Sequence, residues 1–302
     1  MATRQGSVDE MNAKLLRLES LLLNEQPCLV SADALAAMTS MGVSDEMGYA
    51  LLLASAFGLR PDEVEEDRRL VYESLLPSLQ ALDTSVFENN PYYRDITLPE
   101  TTFRDVALTY MQYAPCQSFP CGDLKMEGGR LRAPLGFFKT PFRYPAITQD
   151  GREWMTVTPN EIRTMQDAVD AACGHVLVYG LGLGYFAYMV SMKEAVQTVT
   201  VVDVDEAVIT LFKRHIWPQF PETASRKIML VQQDAFAHAE QTQFRRQGRP
   251  CDVVFTDLWH DAGDGIPLYR RMRTLEQRYG SQGQQFHYWI APTIRYYMGV
   301  DD

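Results

Sequence analysis

Apolar positions along the chain follow two different periods, and the change between them divides the sequence. In residues 8–82 they recur at helical spacing, beginning with Met11, Leu15, Leu16, Leu18, Leu22 and Leu23. Ser31 and Ser44 precede further apolar stretches and are expected to cap two helices, and Pro61 can begin a fourth. The pattern therefore predicts an all-α N-terminal region.

The following segment is less regular and then changes to a strand-like pattern. A further helix is expected over residues 103–113. Between residues 131 and 157, aromatic and β-branched residues flank Asp150-Gly151, a dipeptide typical of a two-residue hairpin turn. The predicted organisation is a mainly helical domain, a β-hairpin segment and a third domain, over residues 1–130, 131–158 and 159–302.

After residue 159, short apolar runs alternate with amphipathic stretches. Strands are expected at residues 176–179, 199–203, 228–231, 253–257 and 286–290. Helices are expected at residues 160–172, 185–192, 206–216, 235–246 and 267–279. Near-continuous apolar strands that alternate with helices indicate a parallel sheet with both faces covered. The predicted fold class is α/β, with a Rossmann-like doubly wound sheet in the strand order 3-2-1-4-5.

A glycine-rich turn, Gly180-Leu181-Gly182-Leu183-Gly184, follows the first of these strands and opens a helix. Glycine adopts backbone angles that a Cβ disfavours and lets a ligand approach the backbone closely. Unpaired N–H groups at the start of the helix can bind an anion such as a carboxylate. The same motif also serves as a tight turn without a ligand. NAD fits less well, because dinucleotide sites have two residues between the last two glycines and this chain has one.

Acidic residues follow the next strands, and the carboxyl ends of parallel strands open on one crevice. Asp203 can accept hydrogen bonds from both ribose hydroxyls of an adenosine, and Asp205 could instead cap the following helix. Asp234 can meet an adenine amino group. Asp257 ends the fourth strand, where the strand order reverses.

These residues resemble class I methyltransferases, and most closely their spermidine-synthase-like branch. The resemblance covers residues 145–290 and is carried by the runs 176–184, 201–209, 234–235 and 252–257. Val178 stands two residues before the first glycine, where many methyltransferases have an acid and aminopropyltransferases do not. The Asp150-Gly151 hairpin and the helix that carries Glu161 are also similar to that branch.

The resemblance implies S-adenosylmethionine as the cofactor. With the strand ends, it places the expected cofactor contacts at Glu161, Gly180, Gly182, Gly184, Asp203, Val204, Asp234, Ala235 and Asp257.

Three departures from that branch favour methyl transfer over aminopropyl transfer. Leu183 and Trp154 stand where aminopropyltransferases have Asp and Gln, and His260 stands where they have a second acid after the fourth strand. The expected function is therefore that of an S-adenosylmethionine-dependent methyltransferase acting on a small molecule. An aminopropyltransferase and a non-catalytic S-adenosylmethionine-binding protein are the alternatives.

The loop after the fourth strand carries the expected catalytic residues, Asp257, His260 and Asp261. Methyl transfer requires that the nucleophile lie in line with the sulfonium and lose its proton. His260 is the expected general base, because imidazole titrates near neutral pH, and Asp257 is expected to orient substrate or cofactor. His260 and Asp261 could instead only cap the next helix. A divalent metal on these residues and Asp264 is a further alternative, but groups so close in sequence cannot easily face one point, and no metal is expected.

One further motif, Asn90-Pro91-Tyr92-Tyr93, is similar to the Asn-Pro-Pro-Tyr motif of amino-group methyltransferases. That motif should end the fourth strand, a place that Asp257 already occupies. A turn at Asn-Pro is therefore the expectation.

Charge and cysteine content bear on partners and location. The chain has 28 Lys and Arg against 39 Asp and Glu, whereas gripping nucleic acid requires clustered cations, so no nucleic acid is expected. The longest uncharged run, residues 176–192, is interrupted by glycines, and no membrane span is expected. Five scattered cysteines suit reduced thiols in a cytoplasm, and Cys116 and Cys121 are not expected to bind metal. Because little chain follows the fifth strand, the first 150 residues or a second subunit of a homodimer must cover the substrate site.

Overall fold

The chain alternates between two structural units along its sequence. The computed structural model describes residues 2–300, with side chains from residue 8 onward. The first unit extends to Val86 and resumes over Gln112–Arg143; the second comprises Phe87–Met111 and continues from Tyr144. Met1 and residues 301–302, at the ends of the two outer predicted domains, lie outside the described residues.

The N-terminal region is helical, in agreement with the apolar spacing. Its helices are α1 (Ala2–Glu25), α2 (Ala32–Ser40), α3 (Asp45–Ala56), α4 (Glu65–Arg69) and α5 (Leu76–Ser78), with a π-helical stretch at Leu70–Leu75. The side chain of Ser31 accepts a hydrogen bond from the N–H of Ala34, and Ser44 accepts one from Met47, so both predicted caps are confirmed. The fourth helix begins at Glu65 rather than at Pro61.

Strands appear well before the predicted boundary at residue 130. They are β1 (Leu79–Leu82), β2 (Thr101–Phe103), β3 (Val106–Tyr113), β4 (Phe119–Pro120), β5 (Lys125–Glu127), β6 (Arg130–Arg132) and β7 (Leu135–Phe138). Two short helices, α6 (Thr84–Glu88) and α7 (Pro91–Asp95), lie between β1 and β2.

The helix predicted over residues 103–113 is wrong, because β3 occupies most of that stretch. Phe103 pairs with Val106 across a two-residue turn at Arg104-Asp105, and Arg104 takes a positive φ of 58°. The turn contains no glycine, and its strands are recognised only through their antiparallel pairing.

The core of the first unit joins its helices to β7. The ring of Tyr49 on α3 stacks on Phe137 with centroids 4.0 Å apart. The Tyr49 hydroxyl donates to the carbonyl of Cys116 at 2.7 Å and shares a second hydrogen bond with the Ser118 hydroxyl at 2.6 Å. A buried tyrosine with a fully bonded hydroxyl therefore links the helical region to the strands that follow it.

The predicted hairpin is confirmed. Strands β8 (Phe142–Gln149) and β9 (Arg152–Thr156) pair antiparallel, and the turn residues Asp150 and Gly151 have φ of 50° and 75°. Positive φ at both central residues matches the right-handed twist of the strands. The hairpin extends a four-stranded sheet in the order β2-β3-β8-β9.

The second unit contains a five-stranded parallel sheet. The remaining strands are β10 (Gly174–Tyr179), β11 (Val196–Asp203), β12 (Ile228–Gln232), β13 (Arg245–Arg246), β14 (Arg249–Pro250), β15 (Val253–Thr256) and β16 (Gln285–Tyr288). The sheet has the order β12-β11-β10-β15-β16, and β13 and β14 form a separate two-stranded hairpin. The predicted α/β class with a parallel sheet is confirmed. All residues of β15 are buried, as expected for a central strand with both faces covered.

Helices separate these strands. They are α8 (Pro159–Ala171), α9 (Tyr185–Ser191), α10 (Glu206–Leu211), α11 (Glu222–Ser225), α12 (Ala235–Thr242), α13 (Ala262–Tyr279) and α14 (Ala291–Met298). Helix α13 begins before Pro267, the predicted start, because Asp261 and Asp264 form a capping box there. None of the helices in the described part of the chain is long and apolar enough to cross a membrane.

Candidate functional site

A cavity of about 340 Å³ opens in the second unit at the carboxyl ends of β10, β11 and β15. Its walls come from β9, the first turns of α8, the glycine turn, and the residues that follow β11 and β15. This is where open parallel sheets bind ligands, because the loops diverge there.

The glycine turn forms the floor of the cavity, and all three glycines have positive φ. At Gly180 a Cβ would lie 1.9 Å from the carbonyl oxygen of Asp257, and at Gly184 it would lie 2.3 Å from the Phe212 ring. At Gly182 it would meet only the sulfur of Met155, at 3.5 Å. Gly180 and Gly182 line the cavity and Gly184 does not, so packing against Phe212 explains Gly184 without a ligand.

Asp203 lies at the end of β11, with its carboxylate beside the glycine turn. One oxygen accepts the Leu181 N–H and the other the Asp205 N–H, each at 2.8 Å. Burial raises the pKa of this carboxyl, and these backbone hydrogen bonds oppose the shift. Each oxygen keeps a second lone pair, so the carboxylate can still accept ligand hydroxyls. The neighbouring Val204 lines the cavity with 66% of its surface exposed, an apolar surface at the cavity mouth.

Two acids that follow β11 and β12 act as helix caps. Asp205 accepts the N–H groups of Ala207 and Val208 at the start of α10, and it also lines the cavity. Asp234 accepts the Ala237 N–H at 2.8 Å, and neither Asp234 nor Ala235 is among the residues that line the cavity. The adenine contact expected of Asp234 and Ala235 stays a prediction.

Two further acids lie deep in the cavity wall. Glu161 accepts the Thr158 N–H at 2.8 Å and hydroxyl hydrogen bonds from Thr156 and Thr158. Burial raises the pKa of Glu161 despite these bonds. At Asp257, burial together with the nearby charges of Glu161 and Asp203 raises the pKa to about 8. A carboxyl with that pKa can take up or release a proton near neutral pH.

Apart from His260, the ionisable side chains that line the cavity are acidic. Its acidic lining residues are Glu153, Glu161, Asp203, Asp205, Asp257 and Asp264, whereas none of the described residues that line it is Lys or Arg. Carboxylates that line a concave site sum to a negative potential, which attracts cations.

At the mouth of the cavity, the ring of His260 packs edge-on against Trp154, with centroids 4.0 Å apart. Burial raises the pKa of the nearby Glu153 carboxyl, while a 3.4 Å hydrogen bond from the Tyr144 hydroxyl and the charge of His260 oppose the shift. His260 therefore lies in the cavity wall, where the sequence analysis expected it.

Asp261 does not join this group. Its carboxylate accepts the Gly263 N–H at 2.6 Å and the Asp264 N–H at 3.2 Å, and it is not among the lining residues. Asp261 therefore fills the capping role, which is the alternative to catalysis.

Residues 162–275 match the family model described as Spermine/spermidine synthase domain. The match is consistent with the class I methyltransferase-like fold and spans the glycine turn, Asp203, Asp257 and His260. Glu153 and Trp154 precede it.

No curated protein matches the chain. Among solved structures, the chain is similar to precorrin 8W decarboxylase, the product of gene MT0146 of Methanobacterium thermoautotrophicum. The two share 16% identity over 43% of this chain and 62% of that one, with a TM-score of 0.31. The match therefore spans less than two thirds of that protein.

The residues considered as ligands of a divalent metal do not form a ligand cluster in the described part of the chain. In the described part of the chain, no group of three or more His, Cys, Asp or Glu side chains could hold a metal ion. Asp261 and Asp264 direct their carboxylates to backbone N–H groups of the α13 capping box. The side chains of Cys116 and Cys121 are buried and are not joined in a disulfide.

Several residues that line the cavity were not predicted. Beyond the residues named so far, the wall includes Val157, Met165, Tyr185, Phe186, Trp259 and Trp289. The Trp289 indole N–H donates to the Thr164 hydroxyl at 2.8 Å, which ties the end of β16 to α8. Local periodicity identifies such residues only as core, because their cavity position depends on how distant elements pack.

Proposed function

We propose that the chain is a transferase whose donor is a sulfonium nucleoside, decarboxylated S-adenosylmethionine, and that it moves the aminopropyl group to a small amine. One observation carries the proposal: a cavity beside a glycine turn is lined by carboxyl groups without a lysine or arginine among its described lining residues. The matched family uses decarboxylated S-adenosylmethionine as substrate.

The charge of the donor decides between the two nucleosides. S-adenosylmethionine carries a sulfonium, an ammonium and a carboxylate, whereas its decarboxylated form lacks the carboxylate and has a larger net positive charge. Carboxyl side chains attract the second more strongly and repel the carboxylate of the first. The same negative potential favours binding of an acceptor amine, which is cationic in solution.

The lining residues define the proposed contacts of the donor. Asp203 would accept the ribose hydroxyls, and Val204 would contact the flat face of the base. The alkyl chain would follow the glycine turn towards Asp257 and Glu161, whose carboxyl groups face a shared region of the cavity.

Transfer is an in-line displacement, and the acceptor must be an unprotonated amine. Its nitrogen lone pair attacks the carbon next to the sulfur, the carbon–sulfur bond breaks, and 5′-methylthioadenosine leaves as a neutral thioether. The cationic acceptor must therefore lose one proton before attack, and the secondary ammonium that forms keeps its charge. Asp257 would accept that proton, because its raised pKa lies closer to that of an amine than an ordinary carboxyl does. His260, at the cavity mouth, is the second candidate base.

Methyl transfer from S-adenosylmethionine is the second candidate function. It is favoured by Leu183, which is only 3% exposed and puts an apolar side chain where aminopropyltransferases have an acid. Trp154 and His260 likewise stand where aminopropyltransferases have a glutamine and an acid. The expected homodimer, the absence of nucleic-acid and membrane partners, and the cytoplasmic location stay predictions.

Calorimetry and product analysis together test the proposal. The protein is titrated with decarboxylated S-adenosylmethionine, S-adenosylmethionine and NAD, and is then incubated with each sulfonium donor and putrescine as a probe amine. We expect the decarboxylated donor to bind at least about tenfold more tightly, a difference of about 1.4 kcal/mol, with release of 5′-methylthioadenosine. Tighter binding of S-adenosylmethionine would favour the methyltransferase instead. Binding of neither sulfonium compound would remove the donor assignment.

A further inference from the structure

The segment Asn90–Asp95, which is α7 with its N-cap, packs against the glycine turn and the start of α9. The Asn90 side chain accepts the Tyr92 N–H at 2.9 Å, as in an Asn-Pro turn, and Pro91 then occupies the first turn of α7. Tyr92 is fully buried and is not among the cavity-lining residues. Its hydroxyl donates to the backbone carbonyl of Leu183 at 2.6 Å.

The Leu183 carbonyl needs a partner from outside the turn. The hydrogen-bond ladder of α9 begins one residue later, where the Tyr188 N–H donates to the Gly184 carbonyl at 2.8 Å. Leu183 is buried, and a buried carbonyl without a partner is costly. The Tyr92 hydroxyl meets this need from a segment 91 residues earlier in the chain.

This hydrogen bond also sets the direction of a peptide plane. In a planar trans peptide, the Leu183 carbonyl and the Gly184 N–H point in opposite directions. With the carbonyl held by Tyr92, the Gly184 N–H donates to the Leu181 carbonyl at 2.8 Å across the turn. Leu181, Gly182 and Leu183 line the cavity, so the conformation that Tyr92 stabilises is the one presented to a ligand.

Neighbouring aromatic residues hold Tyr92 in place. Tyr185 and Tyr188 pack edge-on against its ring, with centroids 5.6 Å and 5.7 Å away. The Asn90 amide donates to the Tyr185 hydroxyl at 3.2 Å, and the Tyr188 hydroxyl donates to the Asp95 carboxylate at 2.6 Å. With its ring position fixed, the Tyr92 hydroxyl has little freedom to leave Leu183.

We propose that Tyr92 is a positioning residue for the donor site, which presets the glycine turn through its hydrogen bond to Leu183. The identity of the donor rests on the proposed function, whereas the effect of Tyr92 on the turn does not. A turn that is preset loses less conformational freedom when a ligand binds, and the affinity is higher for that reason.

The test compares two hydroxyl deletions in the same cluster. Tyr92→Phe removes the hydrogen bond to Leu183, and the matched control Tyr188→Phe removes the one to Asp95. Two readouts are taken well below the unfolding temperature: the dissociation constant of decarboxylated S-adenosylmethionine, and amide hydrogen exchange of a peptide covering residues 180–186. For Tyr92→Phe we expect about tenfold weaker binding and about tenfold faster exchange in the turn. For Tyr188→Phe we expect both within about twofold of wild type, even where its unfolding temperature falls.

Unchanged exchange and affinity in Tyr92→Phe would overturn the proposal, and so would equal effects of the two variants, because a merely structural role moves both alike. If the wild-type protein binds no sulfonium nucleoside, the proposed function fails while the exchange of residues 180–186 still decides the role of Tyr92. If Tyr92→Phe folds poorly, both variants are compared at a lower temperature at which circular dichroism shows each to be fully folded, with exchange of residues 180–186 as the readout. Faster exchange confined to the turn would then support the proposal, and unchanged exchange would overturn it.

Discussion

Gly180 and Asp257 approach so closely that the first must be glycine. A Cβ on Gly180 would lie 1.9 Å from the Asp257 carbonyl oxygen, and Gly180 has a φ of 100°. The Asp257 N–H in turn donates to the Tyr179 carbonyl at 2.8 Å. The ends of β10 and β15 are thus in backbone contact where the candidate base enters the cavity, and the position of Asp257 depends on the absence of a side chain at residue 180.

Gly180→Ala is expected to destabilise the fold by about 3 kcal/mol or more, because the backbone must move to remove the overlap. Gly182→Ala is the matched control, since its Cβ would only contact the Met155 sulfur at 3.5 Å. It should cost about 1–2 kcal/mol for the left-handed backbone alone. Urea unfolding measures both. Equal losses of stability in the two variants would mean that the backbone near Asp257 moves without cost to make room for the added Cβ.

Asp203→Ala should weaken donor binding by at least about tenfold, because the ribose hydroxyls and the Leu181 N–H lose their acceptor. Asp234→Ala provides the comparison, since Asp234 caps α12 from outside the cavity. It should cost about 1 kcal/mol of stability and change donor affinity little. Calorimetry and thermal unfolding of both variants measure these effects. A large affinity loss in Asp234→Ala would instead support the adenine contact predicted from the sequence.

The transfer rate should rise with pH as Asp257 loses its proton. In the free protein the pKa of this carboxyl is raised to about 8, and a bound cationic donor should lower it by favouring the charged form. The midpoint of kcat should therefore lie below that of kcat/KM. Asp257→Asn should remove this pH dependence and lower turnover by at least about 100-fold.

His260→Ala distinguishes the two candidate bases. If Asp257 is the base, His260→Ala keeps the pH midpoint and binds the donor with nearly unchanged affinity. If the midpoint survives in Asp257→Asn and disappears in His260→Ala, the base is His260, as the sequence analysis first proposed. Initial rates measured between about pH 6 and about pH 9 cover both outcomes.

Glu19→Gln should stabilise the protein above about pH 5, which is just beyond the ordinary pKa of a carboxyl. Glu19 is 5% exposed, one of its oxygens has no partner among the described residues, and burial raises its pKa well above 4.5. A raised acid pKa means that the folded state holds the proton more tightly. The free energy of unfolding therefore falls as pH rises from the unfolded-state pKa through the folded-state pKa.

The Glu19→Gln variant should lack this fall in the free energy of unfolding. At high pH it should be more stable than the wild type by about 1.4 kcal/mol for each pH unit by which burial raises the pKa of Glu19, and at low pH the two should differ little. Glu25→Gln, at the exposed end of the same helix, is the control. Urea unfolding of the wild type and both variants as a function of pH measures the difference. A wild-type stability that runs parallel to that of Glu19→Gln at all pH values would contradict the assignment.

Local features of the sequence were sufficient for the helix caps, the hairpin turn and the parallel sheet. Ser31 and Ser44 act on backbone groups a few residues away, and Asp150-Gly151 sets the hairpin through its own backbone angles. Continuous apolar runs identify buried parallel strands because both faces of such strands are covered. These signals are readable because each physical cause lies close in the chain to its effect.

Contacts between distant residues were decided only by the tertiary structure. It made residues 106–113 a strand between β2 and β8, and it brought the Tyr92 hydroxyl to Leu183. The sequence determined which segments could form strands, helices and a glycine turn. Which side chains meet in the cavity depends on how elements far apart in the chain pack together. A local sequence pattern does not specify that packing.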